Sequence, residues 1–394
     1  MPASPPASAR RSLSWLVGAS LLCAASLCQA VQDCDINGEH VNPANGHTTT
    51  GKTGLMRCKD RDTGELRREQ ELRNGVFMGV VRHYDKGRLS REHSVNEKGN
   101  QQGVAREFAP SGQLLREANY DNGSVQGLAR SFHPDGQLRR VSFHADGHRE
   151  RASAEFTAQG KLQALQCADA PVLAPAVDDA RLCGHGSATP SKVELFDSRG
   201  RLRARHAFVA GQRVRMEELH DNGATALRQE TSPTQRTEQR FAADGTLQRE
   251  AAWHITERGS IRQREAEFSV RGTLVREQRW TPEGELLAND TFYLNGQPRS
   301  QSRYSGTGSA RELEAATFHD NGQRSSQGRY TIERRRELPT GVHERFDEQG
   351  RRLAESTYDT QGRLRRERSW NETGQLLRDD EVFEDGSRKA HTAR

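Results

Sequence analysis

Apolar residues, aromatics, lysine and long hydrophobic runs are all scarce in this chain, and each shortage narrows what it can be. Of 394 residues, 32% are hydrophobic and 6% aromatic, while 29% are charged. A single-core domain of this length needs more apolar surface than that to close around itself. A thin repeating sheet needs less, because each unit buries only a stripe against its neighbours. Glycine and the Asp-Gly, Asn-Gly and Pro-Asp dipeptides interrupt every segment before three helical turns can form, which excludes a helical fold. No apolar run beyond residue 30 is long enough for a membrane-spanning helix. A transmembrane barrel fits poorly too. Its lipid face needs alternating apolar residues, whereas these segments carry arginine and glutamate, and the end Lys389–Arg394 lacks an aromatic. There is no Gly-x-Ser-x-Gly elbow, no His-Glu-x-x-His and no phosphate loop. The chain therefore reads as a non-enzyme, with no catalytic residue assigned, no cofactor and no metal.

What is present is a repeat. A glycine returns about every 12 residues, usually with an aromatic four positions before it and a leucine two after. The unit occurs as Phe108…Gly112…Leu114, Phe132…Gly136…Leu138, Phe156…Gly160…Leu162, Phe196…Gly200…Leu202 and Phe241…Gly245…Leu247. It continues as Phe268…Gly272…Leu274, Trp280…Gly284…Leu286, Tyr358…Gly362…Leu364 and Trp370…Gly374…Leu376. Pro-x-Gly at 110–112, 134–136 and 282–284 predicts a type I turn ending in a left-handed glycine, which places a one-residue bulge in a hairpin. Counting outward from Gly136, Phe132 faces Leu138 across the two strands, as a cross-strand pair that stabilises the sheet. The fold class is all-β: an elongated repeat of antiparallel β-hairpins, about 24 residues each, forming a twisted open sheet in which a stripe of aromatics is buried.

Residues 1–30 have the form of an export signal. Arg10-Arg11 precedes an apolar run from Leu13 to Leu27, and Cys28-Gln29-Ala30 offers small residues for cleavage near Ala30. The mature chain is then expected in the periplasm or outside the cell. Four cysteines remain there, Cys34, Cys58, Cys167 and Cys183, and an even number in an exported chain suggests disulfides with three possible connectivities. Proximity favours Cys34 with Cys58 and Cys167 with Cys183. The stretch from Gly160 to Gly200 also exceeds one hairpin by an amount matching the Cys167–Cys183 interval. That marks an inserted excursion pinned at its base, worth roughly 3 kcal/mol through the unfolded chain. The expected organisation is a signal at 1–30, a disulfide-containing cap at 31–62, hairpin repeats at 63–166, the insertion at 167–190 and further repeats at 191–388.

Arginine outnumbers lysine 52 to 7, and the arginines are interleaved with glutamates, for a net charge of +5. Recurring Arg and Glu at matching strand positions predict ladders of opposite charge on a solvated face. Interspersed sign argues against nucleic acid, which calls for a one-sided basic stripe. Arg334-Arg335-Arg336 is the one dense basic run, and it reads as loop surface. Asp33-Cys-Asp35-Ile-Asn37-Gly38 opens like a calcium loop, but Ala44 stands where the closing glutamate belongs, so an Asx-rich turn is expected. The histidines at 133, 144, 220 and 319 fall at turn or exposed-strand positions.

Tyr120-Asp-Asn-Gly123-Ser-Val-Gln-Gly127, Phe132-His-Pro-Asp-Gly136-Gln-Leu138 and Phe318-His-Asp-Asn-Gly322-Gln resemble the bacterial MORN-variant repeat, over roughly 60–390. Proteins of that kind include YwqK-type antitoxins. The resemblance implies consecutive antiparallel hairpins and no cofactor. Pro298 and Arg324 stand where the repeat has leucine. A second resemblance, to the YD repeat of Rhs-type shells, rests on Tyr84-Asp-Lys-Gly-Arg-Leu89 and Tyr358-Asp-Thr-Gln-Gly-Arg-Leu364. Together these readings predict an exported scaffold that binds a protein partner along its sheet, with an antitoxin-like role as the alternative and a cell-wall carbohydrate enzyme third.

Overall fold

The structure, a computed structural model, describes residues 32–145, 149–307, 311–333 and 336–391. The signal-like residues 1–30 lie outside the described residues, as do Arg334 and Arg335. The described chain is built almost wholly of antiparallel hairpins, arranged as two open sheets with strands in sequence order. A 12-stranded sheet ends at Leu162–Gln166, and a 17-stranded sheet begins at Val193–Phe196 and ends at Arg388–Ala390. Order is broken only at the start, where Gln32–Ile36 sits between Glu39–Val41 and Gly54–Asp60. Substantial strand contacts join sheet neighbours, plus Leu162–Gln166 with Val193–Phe196 across the break between sheets.

The turns explain the register. His133 N–H donates to the Gln137 carbonyl at 2.8 Å and Gly136 N–H to the His133 carbonyl at 2.9 Å, which closes the turn. Gly136 sits at φ 90°, where a Cβ would strain the backbone. Phe132 then pairs with Leu138, and the ladder slips one residue beyond them. The other eight ring–leucine pairs repeat this geometry, from Phe108–Leu114 to Trp370–Leu376. Phe292–Pro298 and Phe318–Arg324 keep the same slip without a leucine, so the turn backbone sets the register. A second kind of turn occurs at Asn122-Gly123, where φ is 47° and 87°. Two consecutive left-handed residues give the tight hairpin that matches strand twist.

The buried positions differ from the aromatic stripe expected from sequence. All nine paired rings are only half-buried. The deeply buried side chains of the regular strands are often alanines, such as Ala118, Ala251, Ala266 and Ala288. In a single-layer sheet the only cover comes from neighbouring side chains. A methyl disappears under them, whereas a ring keeps one side in solvent.

Larger apolar clusters mark two places. At the start, Cys34, Ile36, Val41, Met56, Cys58 and Leu72 pack together, and Cys34 is bonded to Cys58, its register partner, with Sγ–Sγ 2.08 Å. Around the break, residues 167–190 form an excursion closed by Cys167–Cys183, at 2.03 Å, with one short helix, Asp179–Leu182. Leu173 of this excursion is fully buried with Val141, Ala152 and Ala154 of the first sheet. Leu182 packs with Val193, Leu195, Ala204 and Phe208 of the second. The buried Asp179 carboxylate shapes the loop by accepting from Val172 N–H at 2.7 Å and Leu173 N–H at 2.9 Å.

Candidate binding face

Seven strands of the first sheet carry an unbroken line of opposite charges. Arg57, Glu69, Arg82, Glu92, Arg106, Glu117 and Arg130 are successive register partners, so antiparallel pairing puts them on one face. Their consecutive N–O separations are 3.2, 3.5, 2.7, 3.7, 2.8 and 2.7 Å. Each glutamate serves two arginines, and the line begins and ends on arginine. Beyond Arg130 the same row becomes Val141, Ala154 and Leu165, the apolar floor under the excursion.

The ladder is less solvated than sequence suggests. The Glu69 side chain is 10% exposed and Glu117 19%, while Arg57 is 57% and Arg106 42%. Acids lie beneath and guanidiniums face solvent, because the longer arginine arm extends past the carboxylate it pairs with. Burial opposes ionisation of Glu69, but hydrogen bonds from Tyr84, Arg57 and Arg82 outweigh it and hold its carboxyl below the ordinary range. Burial likewise opposes ionisation of Glu117, and Arg106 and Arg130 overcome it. The Tyr84 hydroxyl, part-buried and donating to Glu69 at 2.8 Å, is pushed up to about 12. A shorter ladder recurs in the second sheet as Glu194, Arg205, Glu217 and Arg228.

The long edge of the ribbon is held in part by histidines that the sequence reading placed at turn or exposed-strand positions. An imidazole nitrogen of His133 bonds the Phe156 carbonyl of the following turn on that edge at 3.0 Å. His220 reaches the Phe241 carbonyl at 2.9 Å and His319 the Phe346 carbonyl at 3.0 Å. The Tyr293 hydroxyl does the same to Phe318 at 2.9 Å. Lys161 Nζ donates to the Gly200 carbonyl at 3.1 Å, which carries the pattern across the break. All but Lys161 stand three residues before a repeat glycine, a recurrence that was the available signal. His144 differs: it lies in a strand and meets Ser142 Oγ at 2.9 Å.

The glycines at 112, 136, 160, 200, 245, 272, 284, 362 and 374 all have φ between 73° and 93°, each in its turn. The calcium-like run is otherwise engaged. Asp33 accepts from Arg61 at 3.0 Å, Asp35 accepts from Gly38 N–H at 3.2 Å, and Cys34 is in its disulfide. Among the described residues no helix is long and apolar enough to cross a membrane.

Residues 101–122 match the family described as MORN repeat variant. No curated protein sequence matches the chain. Among solved structures it is similar to TcdB2-TccC3 without its hypervariable C-terminal region, at 12% identity and TM-score 0.16, covering 84% of this chain and 18% of that one. It is also similar to the Photorhabdus luminescens Tc holotoxin pore, at 9% identity and TM-score 0.15, covering 85% and 18%. A functionally unknown protein from Desulfotomaculum acetoxidans matches at 9% identity and TM-score 0.11, covering 82% and 90%. The chain thus spans under a fifth of the toxin chains' length, and TM-scores this low carry no function across. The chain is a β-hairpin repeat protein, and the hairpin at 101–122 has the sequence of a MORN-variant repeat.

Proposed function

We propose that the chain is a non-enzymatic scaffold that binds a protein partner through its arginine–glutamate ladder face, in an oxidising compartment, the periplasm or the cell exterior. The observation that carries this reading is the seven-strand ladder. It sets arginine heads at regular strand spacing over acids that fix their positions. Such preorganised guanidiniums suit carboxylates displayed by another protein, since less side-chain freedom is lost on binding. Repeat proteins commonly use an extended surface of this kind. Two disulfides fit a compartment outside the reducing cytosol.

Val104 lies on the ladder face two residues from Arg106 and is 44% exposed, whereas Val270 lies in a turn and is 83% exposed. A photoreactive residue at 104 should give a discrete adduct in cells, one at 270 should not, and R82E with R130E should abolish the first. An adduct indifferent to charge reversal, or none from position 104, contradicts the reading.

A further inference from the structure

The opposite face of the same strands carries positive groups without the acids that balance the ladder. Arg68, His83 and Arg91 are consecutive register partners on the strands Leu66–Arg73, Val76–Asp85 and Arg88–Val95. His93 is two residues along from Arg91, and its ring stacks on His83 with centroids 5.8 Å apart and planes 9° apart. Three nitrogens in this cluster are buried and have no hydrogen-bond partner: Nε of Arg68, Nε of Arg91 and Nδ1 of His93. Arg68 spends one NH2 on Gln70 Oε1 at 2.6 Å and makes no ion pair among the described residues. The nearest acid in register is Glu107, opposite Arg91, and its carboxylate lies 4.0 Å from Arg116 instead.

Buried polar groups are nearly always satisfied, and two orphaned guanidinium N–H groups beside an unpartnered imidazole nitrogen call for an acceptor. We infer that Arg68, Arg91, His83 and His93 form a binding site for a tetrahedral oxyanion of the phosphate or sulfate class. Arg68 and Arg91 stand on the strands flanking Val76–Asp85, with His83 between them in register and His93 stacked on it. A planar carboxylate would be held by one guanidinium fork and leave the second uncompensated. A dianion with four oxygens can take charge-assisted bonds from both, and from an imidazole N–H.

Burial, then the charges of Arg68 and Arg91, depresses the His83 imidazole. Burial, then Arg91, His83 and Arg68, holds His93 down at about 4. An anion among these groups would reverse the arginine contribution and raise both. The groups facing the two imidazoles are Arg68 and Gln70, Val81, Arg91, and Glu107 beyond it. Binding of sulfate, whose charge is constant over this range, should therefore tighten as pH falls from 7.5 to 6.

The test is an NMR titration of histidine side chains in the full chain with inorganic phosphate, sulfate, acetate and chloride. Phosphate and sulfate should shift His83 and His93 saturably and raise their midpoints, with acetate and chloride at least about tenfold weaker. R91Q removes a side chain with no hydrogen-bond or ion-pair partner among the described residues and should weaken phosphate by about tenfold or more. R68Q should do likewise, and K98Q, in an exposed turn, should change nothing. Acetate binding as tightly as phosphate, equal responses to chloride, or an R91Q chain that binds like the parent would each overturn the site.

Discussion

Phe132 lies directly across the strand pair from Leu138, and the ladder slips by one residue immediately after them. The slip needs a left-handed residue at Gly136, whose φ is 90° and whose Cβ position would meet the Gln113 amide at 3.0 Å. Gly136→Val should destabilise by about 1–3 kcal/mol, mostly from backbone strain. Thermal unfolding of the two proteins side by side checks this, and an unchanged melting point contradicts the turn geometry.

Gly211 tests how the excursion holds the two sheets. A Cβ there would stand 2.2 Å from the Ala168 carbonyl oxygen, at a φ of 80°, and Gly211 N–H donates to the Cys183 carbonyl at 2.8 Å. Backbone cannot yield as a side chain can. Gly211→Ala should cost on the order of 1–3 kcal/mol. Gly386→Ala, with open space around it, should cost less. Chemical denaturation of both variants measures the difference.

His319 tests the edge staples. Removing its bond to the Phe346 carbonyl leaves a part-buried acceptor short of a donor. His319→Ala should lower stability by about 0.5–1.5 kcal/mol, and faster amide exchange should appear in the turn 347–351 before it appears in the first sheet.

Acid should weaken the fold in two stages of the same sign. His206 is held down to about 4 by burial and then by Arg213, against an ordinary 6.5. The unfolded chain binds that proton first, so the stability tied to a neutral His206 is complete above about 6.5 and is lost as pH falls toward 4. Glu69 and Glu117 are held below their ordinary 4.5, so their contribution is complete above that value and is lost as pH falls through the depressed one. The melting temperature should fall steadily from pH 7 to 3. His206→Gln should make the upper part of that curve shallower, leaving the share due to His83 and His93, and leave the lower part intact.

Much of this was legible in the chain because the repeat writes its register into turns. Gly136 and its Pro-x-Gly neighbours fix which residues face each other, and that alone pairs Phe132 with Leu138. Depth was not legible. Nothing in the spacing says that Ala118 or Ala266 sinks while Phe132 keeps one side wet, because that depends on cover from adjacent strands. The Arg106–Glu117 alternation could be read, but the layering of acid under arginine follows from side-chain length in three dimensions. The unpaired cluster at Arg68, His83 and Arg91 was hidden for a related reason. Pairing across three strands with unequal turns cannot be counted from one glycine.

Amide hydrogen exchange read by mass spectrometry separates a ribbon of short hairpins from any continuous fold. The account predicts protected strands separated at roughly 12-residue intervals by fast-exchanging turns such as 109–113, 133–137 and 269–273. Protection that runs unbroken through those turns would contradict it.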